Sequence, residues 1–239
     1  MKRLALLLLL LLTAVAGCGT VTPYARTIGT LRPGERITVR IAGGTVNAYA
    51  PRDGEPADTY TIDAFAARNR TPAAPIVHAV GGGIDVNVPV VSSLLVRVPR
   101  GVNLTVFSAR GDVNVTDISG DVRVFMGTGN ADLMLPGYGQ ASISRSGSMK
   151  VLVGSGNWKG TLKFFNADGP MTISIDENAR FRVHLYTGDG TIFTDFPLRG
   201  TARGTSETID AAVNGGAKRG ASIVAKRGMV RLLSLAPQY

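Results

Sequence analysis

A glycine-ended turn recurs along this chain, each time followed by a short alternation of apolar and polar residues. The turns are Ser108-Ala-Arg-Gly111, Met126-Gly-Thr-Gly129, Ser144-Arg-Ser-Gly147, Asn166-Ala-Asp-Gly169, Thr187-Gly-Asp-Gly190 and Ala225-Lys-Arg-Gly228. The alternations are Val113/Val115, Leu133/Leu135, Val151/Val153, Ile173/Ile175, Ile192 and Val230/Leu232. Their glycines are spaced by 18, 18, 22, 21 and 38 residues. A spaced recurrence of this kind marks a stacked repeat protein. Units of roughly twenty residues are too short for four-stranded propeller blades and suit one coil of a β-solenoid. The expected fold class is therefore all-β, a single-stranded β-solenoid with alternate side chains pointing inward and glycines at the corners. The long last gap places a degenerate member within Thr201 to Gly216, where Ile209 to Val213 ends in Gly215-Gly216. An antiparallel β-sandwich is the alternative, because it also uses short, regularly spaced strands.

Composition agrees with a turn-rich β protein. Charged residues are only 18% of the 239, glycine numbers 30, and no long segment shows a helical period. The balance of 26 Lys and Arg against 17 Asp and Glu leaves a basic chain, which favours anionic partners. Aromatic residues are 6%, and no basic run is interleaved with them, so no nucleic-acid partner is expected.

The first residues set the location. Met1-Lys-Arg3 is a basic start, and Leu4 to Ala16 is an apolar run too short to span a bilayer comfortably. Together they read as a secretory signal peptide. Its end, Val15-Ala16-Gly17-Cys18, holds the single cysteine of the chain and resembles the lipobox of bacterial lipoproteins. That resemblance implies cleavage before Cys18, acylation of its thiol, and a membrane-anchored protein facing the extracytoplasmic side. Gly19 stands where lipoproteins retained in an inner membrane often carry Asp, so outer-membrane sorting stays open in an organism with two membranes. The expected organisation is a leader over 1–17, a lipidated Cys18 with a flexible tether over 18–34, and one β domain over 35–239.

Further on, Leu94-Leu-Val-Arg-Val-Pro99-Arg-Gly101-Val-Asn-Leu-Thr-Val106 leads into Ser108 to Val115, and Gly215 to Leu232 closes the series. This layout, from about Arg36 to Leu235, resembles the putative-adhesin family (domain of unknown function 4097), secreted and membrane-tethered proteins of bacteria. The resemblance implies a β-solenoid and supplies no catalytic residues. Met126, Asn166 and Ala225 depart from its usual Ser-x-x-Gly turn.

Candidate chemistry is sparse. His78 and His184 sit in alternating strands without the ligands a metal would need, so no metal or cofactor is expected. Asp112, Asp117, Asp121 and Asp132 with Lys150 or Lys163 could serve a polysaccharide-processing β-helix enzyme, although Asp beside a corner glycine is ordinary turn chemistry. Arg110-Gly111-Asp112 is one corner among several. Lys218, Arg219, Lys226, Arg227 and Arg231 form a candidate patch for an anionic envelope polymer or protein, with the two dibasic pairs expected one coil apart. Trp158 reads equally as an exposed sugar platform or an inward packing residue. The reading that joins these features is a membrane-anchored, non-catalytic cell-envelope lipoprotein serving as a binding, adhesion or scaffold module. An enzyme on acidic glycans and an envelope-stress sensor or decoy are the alternatives.

Overall fold

The computed structural model describes residues 23–66, 73–216 and 218–236. Among these residues are 19 strands and no helix, joined in one large, mostly parallel sheet. The alternation read from the sequence is what builds it. β6 (Asn103–Arg110), the Gly111 corner and β7 (Val113–Thr116) form one rung. The next three rungs are β8 (Val122–Thr128) with β9 (Ala131–Leu135), β10 (Gly139–Ser146) with β11 (Met149–Val153), and β12 (Thr161–Asp168) with β13 (Met171–Asp176). The leading strands pair with one another in parallel register, and so do the trailing strands. Two walls result, meeting at the glycine corner. The parallel register excludes the antiparallel sandwich.

Alternate residues of each wall face inward. On the first wall Val106, Val124, Ala141 and Phe164 share one register column, and on the second Val115, Leu133, Val151 and Ile173 share another. All eight are buried. A buried side chain of this size contributes roughly 1.5–3 kcal/mol, so the core is a sum of many such columns. Ala141 stands beside the bulky Phe164, and this alternation of small and large residues keeps the interior filled. At the corner the backbones approach so closely that a side chain cannot enter. A Cβ on Gly129 would lie 2.0 Å from the carbonyl oxygen of Gly111, and φ there is 127°. The same contact links Gly44, Gly111, Gly129, Gly147, Gly169, Gly228 and Gly190 into one column, adding Gly44 to the recurrence seen in the sequence.

The order of the rungs departs from the order of the chain. β2 (Arg36–Tyr49) and β5 (Gly83–Arg97) each run through both walls. β2 lies between β5 on one side and β6 and β7 on the other. At the far end, β18 (Gly220–Arg227) and β19 (Val230–Leu235) lie between the β12–β13 rung and the rung made by β14 (Phe181–Asp189) and β15 (Ile192–Thr194). A rung early in the chain and one late in it are thus each enclosed by neighbours on both sides. The segment expected to hold the degenerate repeat is instead β16 (Thr201–Arg203) and β17 (Ser206–Val213), a hairpin that pairs antiparallel with the outer edge of β14. Its antiparallel direction removes it from the parallel series and makes it a cap.

The opposite end is also capped. β3 (Thr59–Phe65) and β4 (Ile76–Val80) pair antiparallel with the two halves of β5, and β1 (Ala25–Thr30) pairs with β3. Such caps cover edges that would otherwise template other strands. β1 lies inside the stretch expected to be a tether, so residues 25–30 are structured. Arg26 anchors them through a bidentate pair with the carboxylate of Asp63, at 2.6 and 2.9 Å. Trp158 points inward. Its ring packs edge-on against Phe181 at 5.3 Å, and its indole N–H donates to the Gly220 carbonyl at 3.0 Å.

Candidate functional site

Because inward positions alternate with outward ones, each wall also carries columns of outward side chains. On the first wall one of these columns is mainly aromatic. Register places Arg40, Phe107, Phe125, Ser142, Phe165, Val224 and Tyr186 side by side on successive rungs. Neighbouring rungs are about 4.8 Å apart, so aromatic side chains on adjacent rungs of one column touch, as Phe107 and Phe125 do. The Phe107 and Phe125 rings stack with centroids 5.1 Å apart and planes at 17°. The Arg40 guanidinium covers the free side of Phe107 at 4.6 Å, an attractive cation–π contact.

The column beside it carries Thr105, Arg123, Gln140 and Lys163 in register. Arg123 and Lys163 are exposed. A shallow depression of about 350 Å³ opens there, between Arg36, Arg40, Arg123 and Phe107, with Asp85 at its border. On the other side of the aromatic ridge runs a larger trough of about 780 Å³. Arg40, Phe107 and Phe125 form one flank, and the small residues Ala42, Ala109 and Gly127 lie along it at the corner. Pro89, Ala73, Ala74 and Ile76 line its end. Arg40 is the one charged side chain in its lining among the described residues, and none of them supplies it with a carboxylate partner.

Two of the trough's four neutral polar side chains, Ser108 and Ser144, are committed to the fold, and Asn87 and Ser142 are the other two. The Ser108 hydroxyl donates to the Arg110 carbonyl at 3.2 Å, and the Ser144 hydroxyl donates to the Met126 carbonyl at 3.1 Å. These serines belong to the recurring turn, and Asn166 and Thr187 tie corners in the same way, to the carbonyls of Gly147 and Gly228. Substitution of one polar residue for another at the turn therefore preserves its hydrogen bonding. Met126 and Ala225 are buried there without that bond.

The residues singled out in the sequence fall elsewhere. Cys18 lies outside the described residues. The basic set does not form one surface: Lys218-Arg219 and Lys226-Arg227 flank the same strand, β18, at opposite ends, and Arg231 is on the second wall. Arg219 donates to the Gly156 carbonyl and to Asn157, and Arg227 pairs with Asp168 at 2.9 Å. Lys226 reaches over the Phe165 ring at 5.9 Å. Asp112 accepts hydrogen bonds from the backbone and side-chain nitrogens of Asn130, which in turn accepts from Ser148, a ladder along the corner. Asp132 and Lys150 are 3.9 Å apart on the second wall, while Lys163 is on the first. His78 stands opposite Asp85 in the strand register, and His184 contacts Asp210 at 2.7 Å. Among the described residues no three metal-ligating side chains cluster, and no helix is long and apolar enough to cross a membrane.

The aromatic column was the feature missed in the sequence, although a signal for it exists. Arg40, Phe107, Phe125, Phe165, Val224 and Tyr186 each stand four residues before a corner glycine. Only β10 breaks the count, because its register shifts between Ile143 and Ser146 and brings Ser142 into the column.

Comparison with known proteins adds two solved structures. The chain is similar to a putative cell adhesion protein from Clostridium sporogenes ATCC 15579, with 11% identity and a TM-score of 0.47 over 88% of this chain and 99% of that one. It is also similar to a putative adhesin from Parabacteroides distasonis ATCC 8503, with 8% identity and a TM-score of 0.22 over 87% of this chain and 96% of that one. No protein-family model matches the chain, and no curated protein matches it.

Proposed function

We propose that this chain is a lipid-anchored, non-catalytic binding module of the bacterial cell envelope, a β-solenoid of the putative-adhesin type. The observation that carries the binding role is the outward face of the first wall, where an aromatic ridge and the unpaired Arg40 flank an open trough. A large exposed apolar feature with few polar groups is the usual form of a ligand site. The anchoring half of the reading is supported by the lipobox-like Val15-Ala16-Gly17-Cys18. Acyl chains on Cys18 would hold the module at the extracytoplasmic side of a membrane, since each buried methylene contributes about 0.8 kcal/mol. The stacked parallel rungs and their glycine column support the solenoid architecture. Its partner is an anionic or amphipathic envelope component, met by Arg40, Arg123 and Lys163.

Two measurements test this. Cells expressing the chain are labelled with radioactive palmitate, and membrane fractions are compared with those of a Cys18→Ser variant. The expected result is labelled, membrane-bound protein that becomes unlabelled precursor in the variant; normal processing of the variant refutes the anchor. The purified protein is then incubated with envelope extract, where it retains material that an Arg40→Gln, Phe125→Ala double variant does not. Turnover of an acidic glycan by the purified protein would refute the non-catalytic role.

A further inference from the structure

The trough beside the aromatic ridge is chemically specific enough to indicate its occupant. Its flank is Phe107 and Phe125, its small residues are Ala42, Ala109 and Gly127, and its single charge is Arg40. A sugar chain suits it poorly. Saccharides bind through many hydroxyl groups and through the faces of aromatic rings, and here the facing sides of Phe107 and Phe125 are stacked on each other while Arg40 covers the next. The hydroxyls of Ser108 and Ser144 are already bonded to backbone carbonyls, which leaves Asn87 and Ser142 as the neutral polar side chains of the lining, too few for a ligand with many hydroxyls. An extended peptide suits it no better. The trough lies on a sheet face whose backbone groups are paired between rungs, so a peptide's own amides would be buried without partners, which is costly. A hydrocarbon chain has no such requirement and gains from every methylene removed from water.

The charge at the site completes the assignment. The Arg40 guanidinium carbon sits over the Phe107 ring, 4.6 Å from its centroid, and the group has no carboxylate partner among the described residues. A planar guanidinium matches a carboxylate through two parallel hydrogen bonds. We propose that the trough binds one long-chain fatty acid, its acyl chain along Ala42, Ala109 and Gly127 and its carboxylate on Arg40. The volume of about 780 Å³ falls inside the range of roughly 300–1,000 Å³ common to small-molecule sites. This deepens the reading of the first wall as the binding face and rests on it.

The test is a titration of the purified full-length protein with cis-parinarate, a fluorescent long-chain carboxylate, followed by displacement with oleate. Saturable one-to-one binding that oleate reverses is expected. Arg40→Gln should weaken it by about tenfold or more, as expected for loss of a charge-assisted pair. Ala109→Trp, which fills the trough from an exposed position, should abolish it while the melting temperature is retained. Arg231→Gln on the second wall should leave it unchanged. Oleyl alcohol, with the same chain and no charge, should compete about tenfold less well than oleate. No saturable binding, equal binding by the Ala109→Trp variant, or equal competition by oleyl alcohol would each overturn the assignment. So would binding to phosphatidylglycerol vesicles without any displacement of parinarate by oleate. Failure here with retention of envelope material intact would remove the fatty acid and keep the binding module. Loss of the palmitate label at Cys18 with parinarate binding intact would do the reverse, removing the anchor and keeping the site.

Discussion

The two walls share one core and one glycine column, yet their outward faces differ in kind. On the second wall and the cap beside it several cations are answered by carboxylates: Arg97 by Glu55 and Lys150 by Asp132 on the wall, and Arg26 by Asp63 on the cap. One of its outward columns runs Asn47, Asn114, Asp132, Lys150 and Thr172, with Asn114 donating to Asn47 at 2.9 Å, and the next runs Tyr49, Thr116, Met134, Leu152 and Ser174. Arg231, which stands beside Phe193 in register, is the exception without an ion pair among the described residues. On the first wall Arg227 pairs with Asp168 near the corner, while Arg40, Arg123 and Lys163 lack carboxylate partners among the described residues and phenylalanines stand between them. Exposed pairs contribute little to stability, so the second wall's pairing chiefly neutralises that surface. The first wall retains uncompensated charge beside apolar surface. Similar backbone scaffolding therefore carries a stacked aromatic ridge with unpaired cations on one wall and a more fully paired surface on the other.

The largest expected loss comes from the core. Phe164→Ala removes a fully buried ring from the first wall's inner column, and a loss of about 3–5 kcal/mol is expected by chemical denaturation. A smaller loss would mean that Ala141 and its neighbours collapse into the space. Next comes the corner that both walls share. Gly129→Ala brings a Cβ against the Gly111 carbonyl in a backbone conformation unfavourable for alanine, and about 2–3 kcal/mol should be lost. That loss should appear whichever wall a local probe reports on.

Substitution on the outer face should have a different effect. Phe125→Ala removes a half-exposed ring and its stack on Phe107, for about 1 kcal/mol of stability, but it should clearly weaken ligand retention. A stability loss like that of Phe164→Ala would mean that the ridge is structural. The smallest effect belongs to the second wall. The backbone N–H of Arg52 donates to the Glu55 carboxylate, and this bond, with the adjacent Arg97, holds the carboxyl below its usual range. A carboxylate with a lowered folded pKa stabilises above its unfolded pKa, and that contribution is lost as pH falls through the folded value. Glu55→Gln should thus lower the melting temperature slightly at neutral pH and converge with the parent in acid. A constant difference across the acid range would assign the effect to packing.

Much of this was legible in the chain. The inward pairs from Val113/Val115 through Val230/Leu232 are buried as their alternation requires, and the glycines are corners because backbone approaches backbone there. The order of rungs was not legible. Every rung has the same apolar period, so the pattern cannot say whether the strand after β12 in space is β14 or β18. Nor could it show that Ile209 to Val213 runs antiparallel, since alternation is indifferent to strand direction. The basic residues near the end of the chain looked clustered because they are close in sequence, but an extended strand carries Lys218 and Lys226 about 25 Å apart. The site was hidden for the opposite reason. Arg40, Phe107, Phe125 and Phe165 are far apart in the chain and meet only through register, although their common offset from the corner glycine could have disclosed it.

The enclosed position of β2 and of the β18–β19 rung bears on how the molecule can assemble. A simple linear repeat can zip from its first unit to its last as the chain emerges. Here β5 cannot take its place on the outer side of β2 and also precede β6 without spanning the rung between them. The last rung must likewise enter between strands made earlier. The longest run of rungs that can form in chain order is the block from β6 to β13, and closure waits for the C-terminal strands. Such long-range closure is slow compared with local pairing. Refolding should accordingly show a fast phase for the central block and a late phase that depends on residues 220–235, and a chain truncated before Gly220 should stop at the earlier state.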